Sequence, residues 1–181
     1  MREISCAAIK AVVKKLFLQA NYDIGADVLA SLQAAVKKEE SPAGKAVLAQ
    51  IIENHKIAAA EKIAICQDTG MSVVFVKLGQ DVRVVGGDFN EAIAQAVREA
   101  YSEGYLRKSV VDDPLFARKN TNDNTPAVIY VDIAPGDKIH IEVTAKGFGS
   151  ENMSQMKILA PAAGVKGVKE FVVETVEKAG P

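Results

Sequence analysis

The stretch IAICQDTGMSVVFVKLGQDVRVVGG, residues 63–87, is where the chain changes its period. IAIC, SVVFVKL and VRVVGG are short, rich in β-branched residues and bounded by Gly or Asp, so they predict three strands. Upstream the spacing is helical. Ile4, Ala8, Val12 and Leu16, with Ile9, Val13 and Phe17 beside them, predict a helix over 3–20 with a wide apolar stripe. Val28, Leu32 and Val36 predict a second over 24–38. Ser41 can cap a third and Pro42 suits its first position; Val47, Leu48, Ile51 and Ile52 are then expected to face a core. The first sixty residues read as an all-helical block.

Downstream, Phe89, Ile93 and Val97 predict another helix ending near Gly104. Residues 107–126 are polar and without period. PAVIYVDI and DKIHIEV flank Pro135-Gly136, which predicts a turn between two antiparallel strands. A second polar segment spans 145–155, and Val165, Val168, Val172 and Val176 outline a last helix. Helices followed by mixed strands and helices indicate an α+β fold: a helical N-terminal subdomain over 1–62, then a mixed or antiparallel sheet packed with helices over 63–181.

Composition narrows the function classes. The 181 residues are 49% hydrophobic and 25% charged, with a net charge of -1. That is an ordinary globular balance, and no basic run points to nucleic acid or an anionic membrane as partner. Lys10, Lys14 and Lys15 interrupt the N-terminal apolar stretch, which is therefore neither signal peptide nor membrane span. A cytoplasmic location is expected, and a reducing compartment argues against a bridge between Cys6 and Cys66.

Three polar loops stand at strand ends: Cys66-Gln67-Asp68-Thr69-Gly70, the run from Arg118 to Thr125, and Lys146-Gly147-Phe148-Gly149-Ser150-Glu151-Asn152. If the strands share a sheet, these loops can meet at one rim. A lone cysteine usually packs as a small hydrophobe, but Gln67 and Asp68 are unusual company for one. A metal-binding thiolate wants polar neighbours, and a carboxylate two residues on can act as acid or base. Arg118 reads either as a surface ion-pair partner or as a bidentate clamp on a carboxylate. The Asn/Asp/Thr run reads as a set of Asx-turns, and the glycine-rich loop as mobile or as a backbone nest for an anion. His55 and His140 lack metal-ligand spacing and read as structural.

Taken in order, ICQDTG, the Phe-containing strand SVVFVKLGQ, ARKNTNDNTPA, PGD before a strand, and KGFGSEN closely resemble the α-subunit, or α-region, of class I fumarases and the related L-tartrate dehydratases. The resemblance runs from the N-terminal helices to residue 181. It implies a lyase that hydrates fumarate to L-malate reversibly, as in the tricarboxylic acid cycle, or dehydrates tartrate. It also implies a [4Fe–4S] cluster held by three cysteines, with one iron left open as a Lewis acid toward the substrate. On that basis Cys66 is one cluster ligand. Gln67 and Asp68 lie at the substrate, Asp68 being a candidate acid. Arg118 grips a substrate carboxylate, and Gly147 or Gly149 presents backbone to the dicarboxylate or hydroxy-dicarboxylate. The partners implied are a β-subunit and a second α-chain.

The chain departs from the pattern at Phe148, where the family often has glycine. The second and third cluster cysteines and the β-region with its proposed base have no counterpart here, so the chain is expected to be an N-terminal piece of the α-subunit. By itself it is expected to hold no intact cluster and to be inactive. The competing readings are a non-catalytic dicarboxylate-binding or subunit-assembly module, and a small metal-binding protein built on Cys66 and carboxylates.

Overall fold

The structure, a computed structural model, describes residues 1–180, so Pro181 of the Ala-Gly-Pro stop signal lies outside the described residues. The chain divides into two compact units, Met1–Lys146 and Gly147–Pro181. In the first, β1 (Arg2–Ser5) runs directly into α1 (Cys6–Tyr22) because Ser5 caps the helix, its Oγ accepting the Ala8 N–H at 3.2 Å. The expectation of an all-helical first sixty residues therefore fails at β1. Four residues are too few to show a period in sequence, and β1 exists by pairing in parallel with β3 (Val82–Val85).

Helix α2 (Ala26–Lys38) and helix α3 (Pro42–Glu61) follow. Ser41 Oγ accepts the Gly44 N–H at 3.3 Å and Pro42 takes the first helical position, as the sequence predicts. The expected core face of α3 is not buried: Val47 and Ile51 are exposed, and the buried residues of the helix are His55 and Ala58. Helix α2 buries no residue completely. An apolar stripe shows which face a helix would bury, not whether anything is there to cover it.

IAIC is not a strand. The Ile65 N–H donates to the Asn21 carbonyl at 2.9 Å, and the Ile65 carbonyl accepts from Asn54 Nδ2 at 2.9 Å. The end of α1 and a side chain of α3 thus take the groups a strand ladder would use. The other two runs form β2 (Met71–Gly79) and β3. Helix α4 (Phe89–Glu103) is capped by Asp88, which accepts the Glu91 N–H at 2.7 Å, and it ends at Gly104.

The polar stretch after α4 holds a two-residue-deep hairpin, β4 (Val111–Asp112) with β5 (Lys119–Asn120). Strands β6 (Val128–Ala134) and β7 (Ile139–Lys146) run antiparallel around the Pro135-Gly136 turn, but they are not neighbours. Strand β2 lies between them, parallel to β6 and antiparallel to β7. The turn passes over the end of β2: Gly79 N–H donates to Lys138 O, Gln80 N–H to Ala134 O, and Asp81 N–H to Gly136 O. Gly79 is required there, since a Cβ would collide with the Gly136 carbonyl.

The core lies between one face of this sheet and the helices α1 and α4. Val74 and Val76 meet Ile9, Val13 and Phe17 from α1 and Ile93, Val97 and Tyr101 from α4. Each such side chain contributes about 1.5–3 kcal/mol on burial. Lys10 and Lys14 tie α1 to Glu99 and Glu103 of α4 at 2.6–3.3 Å. On the other sheet face Phe75 and Tyr130 stack, centroids 5.3 Å apart, and remain exposed.

The second unit contains a 3-10 turn (Gly149–Met153), another at Pro161–Ala163, and α5 (Gly164–Ala179). Lys157 meets Glu174 at 3.3 Å and lies over the Phe171 ring. The valines that predicted α5 are all exposed. No helix among the described residues is long and apolar enough to cross a membrane.

Candidate functional site

Sheet register brings the first two polar motifs and Lys146 to one end. Strand β2 begins at Met71, directly after CQDTG. Met71 pairs with Lys146, the last residue of β7. Val73 pairs with Val128, the first residue of β6, just beyond the Asn/Asp/Thr run. The first loop therefore enters the sheet where the second also enters and where the third motif begins.

Cys66 and Gln67 are exposed, Asp68 is half-buried, and Thr69 and Gly70 are buried. Cys66 Sγ donates to Gln67 Oε1 at 3.3 Å and accepts the Asp68 N–H at 3.5 Å. Asp68 Oδ1 accepts the Gly70 N–H at 3.2 Å, and Gly70 has φ 57°, which favours glycine at the turn into β2. The three candidate side chains thus form one local group. Cys6 is buried in α1, and both cysteines are free.

The loop is tied down on both flanks. Upstream, Asn21 and Asn54 hold Ile65. Downstream, the Tyr101 hydroxyl donates to Thr69 O at 2.6 Å, Thr69 Oγ1 donates to Arg107 O at 2.7 Å, and Asn124 Nδ2 donates to Gly70 O at 3.1 Å. Burial pushes the Tyr101 phenol above its usual range, so it stays protonated and a donor. Asn124 Oδ1 accepts the N–H groups of Ser109 and Val110 at 2.8 and 3.2 Å.

Arg118 sits on the β4–β5 hairpin, exposed, with φ 48° and its N–H donating to Asp113 O at 2.9 Å. Asp113 also accepts from Phe116 and Ala117, and these backbone donors hold its carboxyl below the usual range, the Ala117 N–H contributing most. The structure joins the hairpin to the cysteine loop through Arg107 and Asn124. The Arg118 guanidinium makes no hydrogen bond or ion pair with any described residue. Gly147 and Gly149 belong to the second unit, Gly149 opening its 3-10 turn, and a Cβ at Gly149 would meet nothing within 4 Å.

The histidines stand apart from these motifs. His140 contacts Glu142 at 2.8 Å on an exposed sheet face. His55 is buried with Nδ1 unpartnered and Nε2 3.9 Å from Asp23. Among the described residues no three of His, Cys, Asp and Glu are grouped so as to hold a metal ion. The anchoring roles of Tyr101, Thr69 and Asn124 leave no signal in the sequence. The first looks like helix core, and the last sits in a run whose composition signals only turns.

The chain is an α+β protein in which the Cys66 loop and the Asn/Asp/Thr run enter one end of a mixed sheet. A family model described as "Fumarate hydratase (Fumerase)" matches residues 10–181, and the chain belongs to that family. It is 38% identical over 182 residues to a Methanocaldococcus jannaschii protein named "Putative L(+)-tartrate dehydratase subunit alpha", covering 95% of this chain and 62% of the relative. Proteins of Escherichia coli and Shigella sonnei named L(+)-tartrate dehydratase subunit alpha are each 32% identical over 152 residues, covering 83% of this chain and 50% of theirs. The chain thus spans between 50% and 62% of the length of these curated relatives.

Proposed function

We propose that this chain supplies the Cys66 side of the active site of an iron–sulfur hydro-lyase that hydrates fumarate reversibly to L-malate or dehydrates tartrate. The observation that carries the reading is the anchored CQDTG loop: its ends are pinned by α1, α3, α4 and Asn124 while Cys66 Sγ stays exposed. A ligand held this way needs little reorganisation when it binds.

The donor set fits one ligand position of a [4Fe–4S] cluster. Cys66 is an exposed sulfur that already accepts a backbone N–H, and thiolates are the usual holders of such clusters. When bound, the cluster supplies a Lewis-acidic iron that polarises a substrate hydroxyl. Cys66 would be one of its ligands. Gln67 and Asp68 line the substrate, and Asp68 exchanges a proton at its carboxylate. Arg118 presents two parallel N–H donors to a substrate carboxylate. By the family resemblance, Gly147 or Gly149 would present backbone to the substrate. Residues 1–62 serve as a helical support and 63–181 as the portion carrying these loops. The complete enzyme pairs this chain with a β-subunit and a second α-chain in the cytoplasm.

The test is anaerobic assembly of the chain with its full set of partners, followed by iron and sulfide analysis and assays with fumarate and tartrate. Stoichiometric cluster and turnover of either acid, both lost in Cys66→Ser, are expected. An assembled protein that binds a dicarboxylate tightly without turning it over would replace this reading with the binding-module one.

A further inference from the structure

We propose that Asn124 is the positioning residue that locks the Cys66 loop and the Arg118 hairpin into one register. The inference deepens the hydro-lyase reading and rests on it for its functional consequence. Its structural content stands on three side-chain hydrogen bonds. Asn124 has no exposed surface, and every polar atom of its amide is used. Nδ2 reaches the Gly70 carbonyl, the last group of the cysteine loop, at 3.1 Å. Oδ1 takes both Ser109 and Val110 N–H, at the base of the hairpin that carries Arg118.

One buried amide therefore bonds two loops that are 54 and 14–15 residues away in sequence. A side-chain amide carries its donor nitrogen and its acceptor oxygen on separate atoms, so Asn or Gln can reach two loops at once, and φ 61° at this position suits Asn or Gly. Tyr101 fixes the neighbouring Thr69 carbonyl from α4, and its hydroxyl also interacts with the Asn124 amide. A buried group with all its partners satisfied makes this junction stiff, and losing one partner leaves another group unpaired in a dry site.

Three variants of the chain separate these roles by amide hydrogen exchange. Asn124→Gly keeps the left-handed backbone and deletes the amide. It is expected to raise exchange about tenfold or more in both 66–71 and 109–121. Asn124→Asp keeps the acceptor for Ser109 and Val110 but loses the donor to Gly70, so exchange should rise in 66–71 and stay near wild type in 109–121. Tyr101→Phe should also loosen 66–71. In all three, α1 and α4 stay protected.

In the assembled enzyme, Asn124→Gly should lower kcat by about tenfold or more while the assembled α-chain keeps its unfolding midpoint within a few degrees. Equal exchange in Asn124→Gly and wild type, or loosening confined to one loop in that variant, overturns the coupling. Wild-type kcat in Asn124→Gly overturns its functional role. If Asn124→Gly fails to fold, no rise in 66–71 in Asn124→Asp overturns the assignment. Loss of turnover in the wild-type assembly is a failure of the hydro-lyase reading, and the exchange pattern still decides the coupling.

Discussion

Met71 and Lys146 stand opposite one another in antiparallel register, the first residue of β2 against the last of β7. The pair is 75 residues apart in sequence, and it sets CQDTG beside the start of KGFGSEN. Because β6 is parallel to β2, the Asn/Asp/Thr run arrives at the same sheet end. One central strand with one parallel and one antiparallel neighbour thus gathers the two loops that precede β2 and β6 beside Lys146, the last residue of β7.

Arg118→Lys in the assembled enzyme is expected to lower kcat/KM by about 30- to 1000-fold, the equivalent of roughly 2–4 kcal/mol. The exposed guanidinium offers a planar fork, and an ammonium offers a point charge. Steady-state kinetics with fumarate and tartrate check this, and kcat/KM near wild type would remove Arg118 from substrate binding.

Cys66→Ser is expected to leave the stability of this chain within about 0.5 kcal/mol, because the sulfur is exposed and fills no core space. Urea unfolding measures it. A large loss would mean that the thiol holds the loop together rather than serving a ligand.

The core and the valine helix should respond oppositely to truncation. Phe17 is fully buried against Tyr101, ring centroids 6.4 Å apart, so Phe17→Ala should cost about 3–5 kcal/mol. Val172 of α5 is exposed, and Val172→Ala in this chain should fall within about 0.5 kcal/mol. Denaturant midpoints of the two variants decide it, and equal losses would refute the burial of one face and exposure of the other.

The ion-pair link between α1 and α4 predicts a pH window. The hydrogen bond from Lys10 holds Glu99 below its usual 4.5, so its contribution is complete above that value and fades as pH falls through the folded value. The hydrogen bond to Glu103 raises Lys14 above its usual 10.5, so its contribution is complete below that value and fades as pH rises through the folded one. The Tm difference between wild type and Glu99→Gln should therefore shrink as pH falls through the folded Glu99 value, and that between wild type and Glu103→Gln should shrink as pH rises through the folded Lys14 value. A difference independent of pH would show that packing, not charge, carries the link.

By itself the sequence determined what nearest neighbours decide. Ser41-Pro42 opens α3, Gly104 closes α4, and the β-branched run after Gly70 becomes β2, because caps, φ limits and side-chain period act within a few residues. The three polar motifs were also legible as motifs, since their composition is local. Tertiary structure alone decided the rest. It placed β2 between β6 and β7, made a strand of Arg2–Ser5, left IAIC irregular, and withheld a covering from Val47, Ile51 and the valines of α5. It also turned Asn124 from a turn residue into the junction of two loops. Each of these depends on which distant group satisfies a backbone donor, a backbone acceptor or an apolar face, and pairing across tens of residues leaves no local period to read.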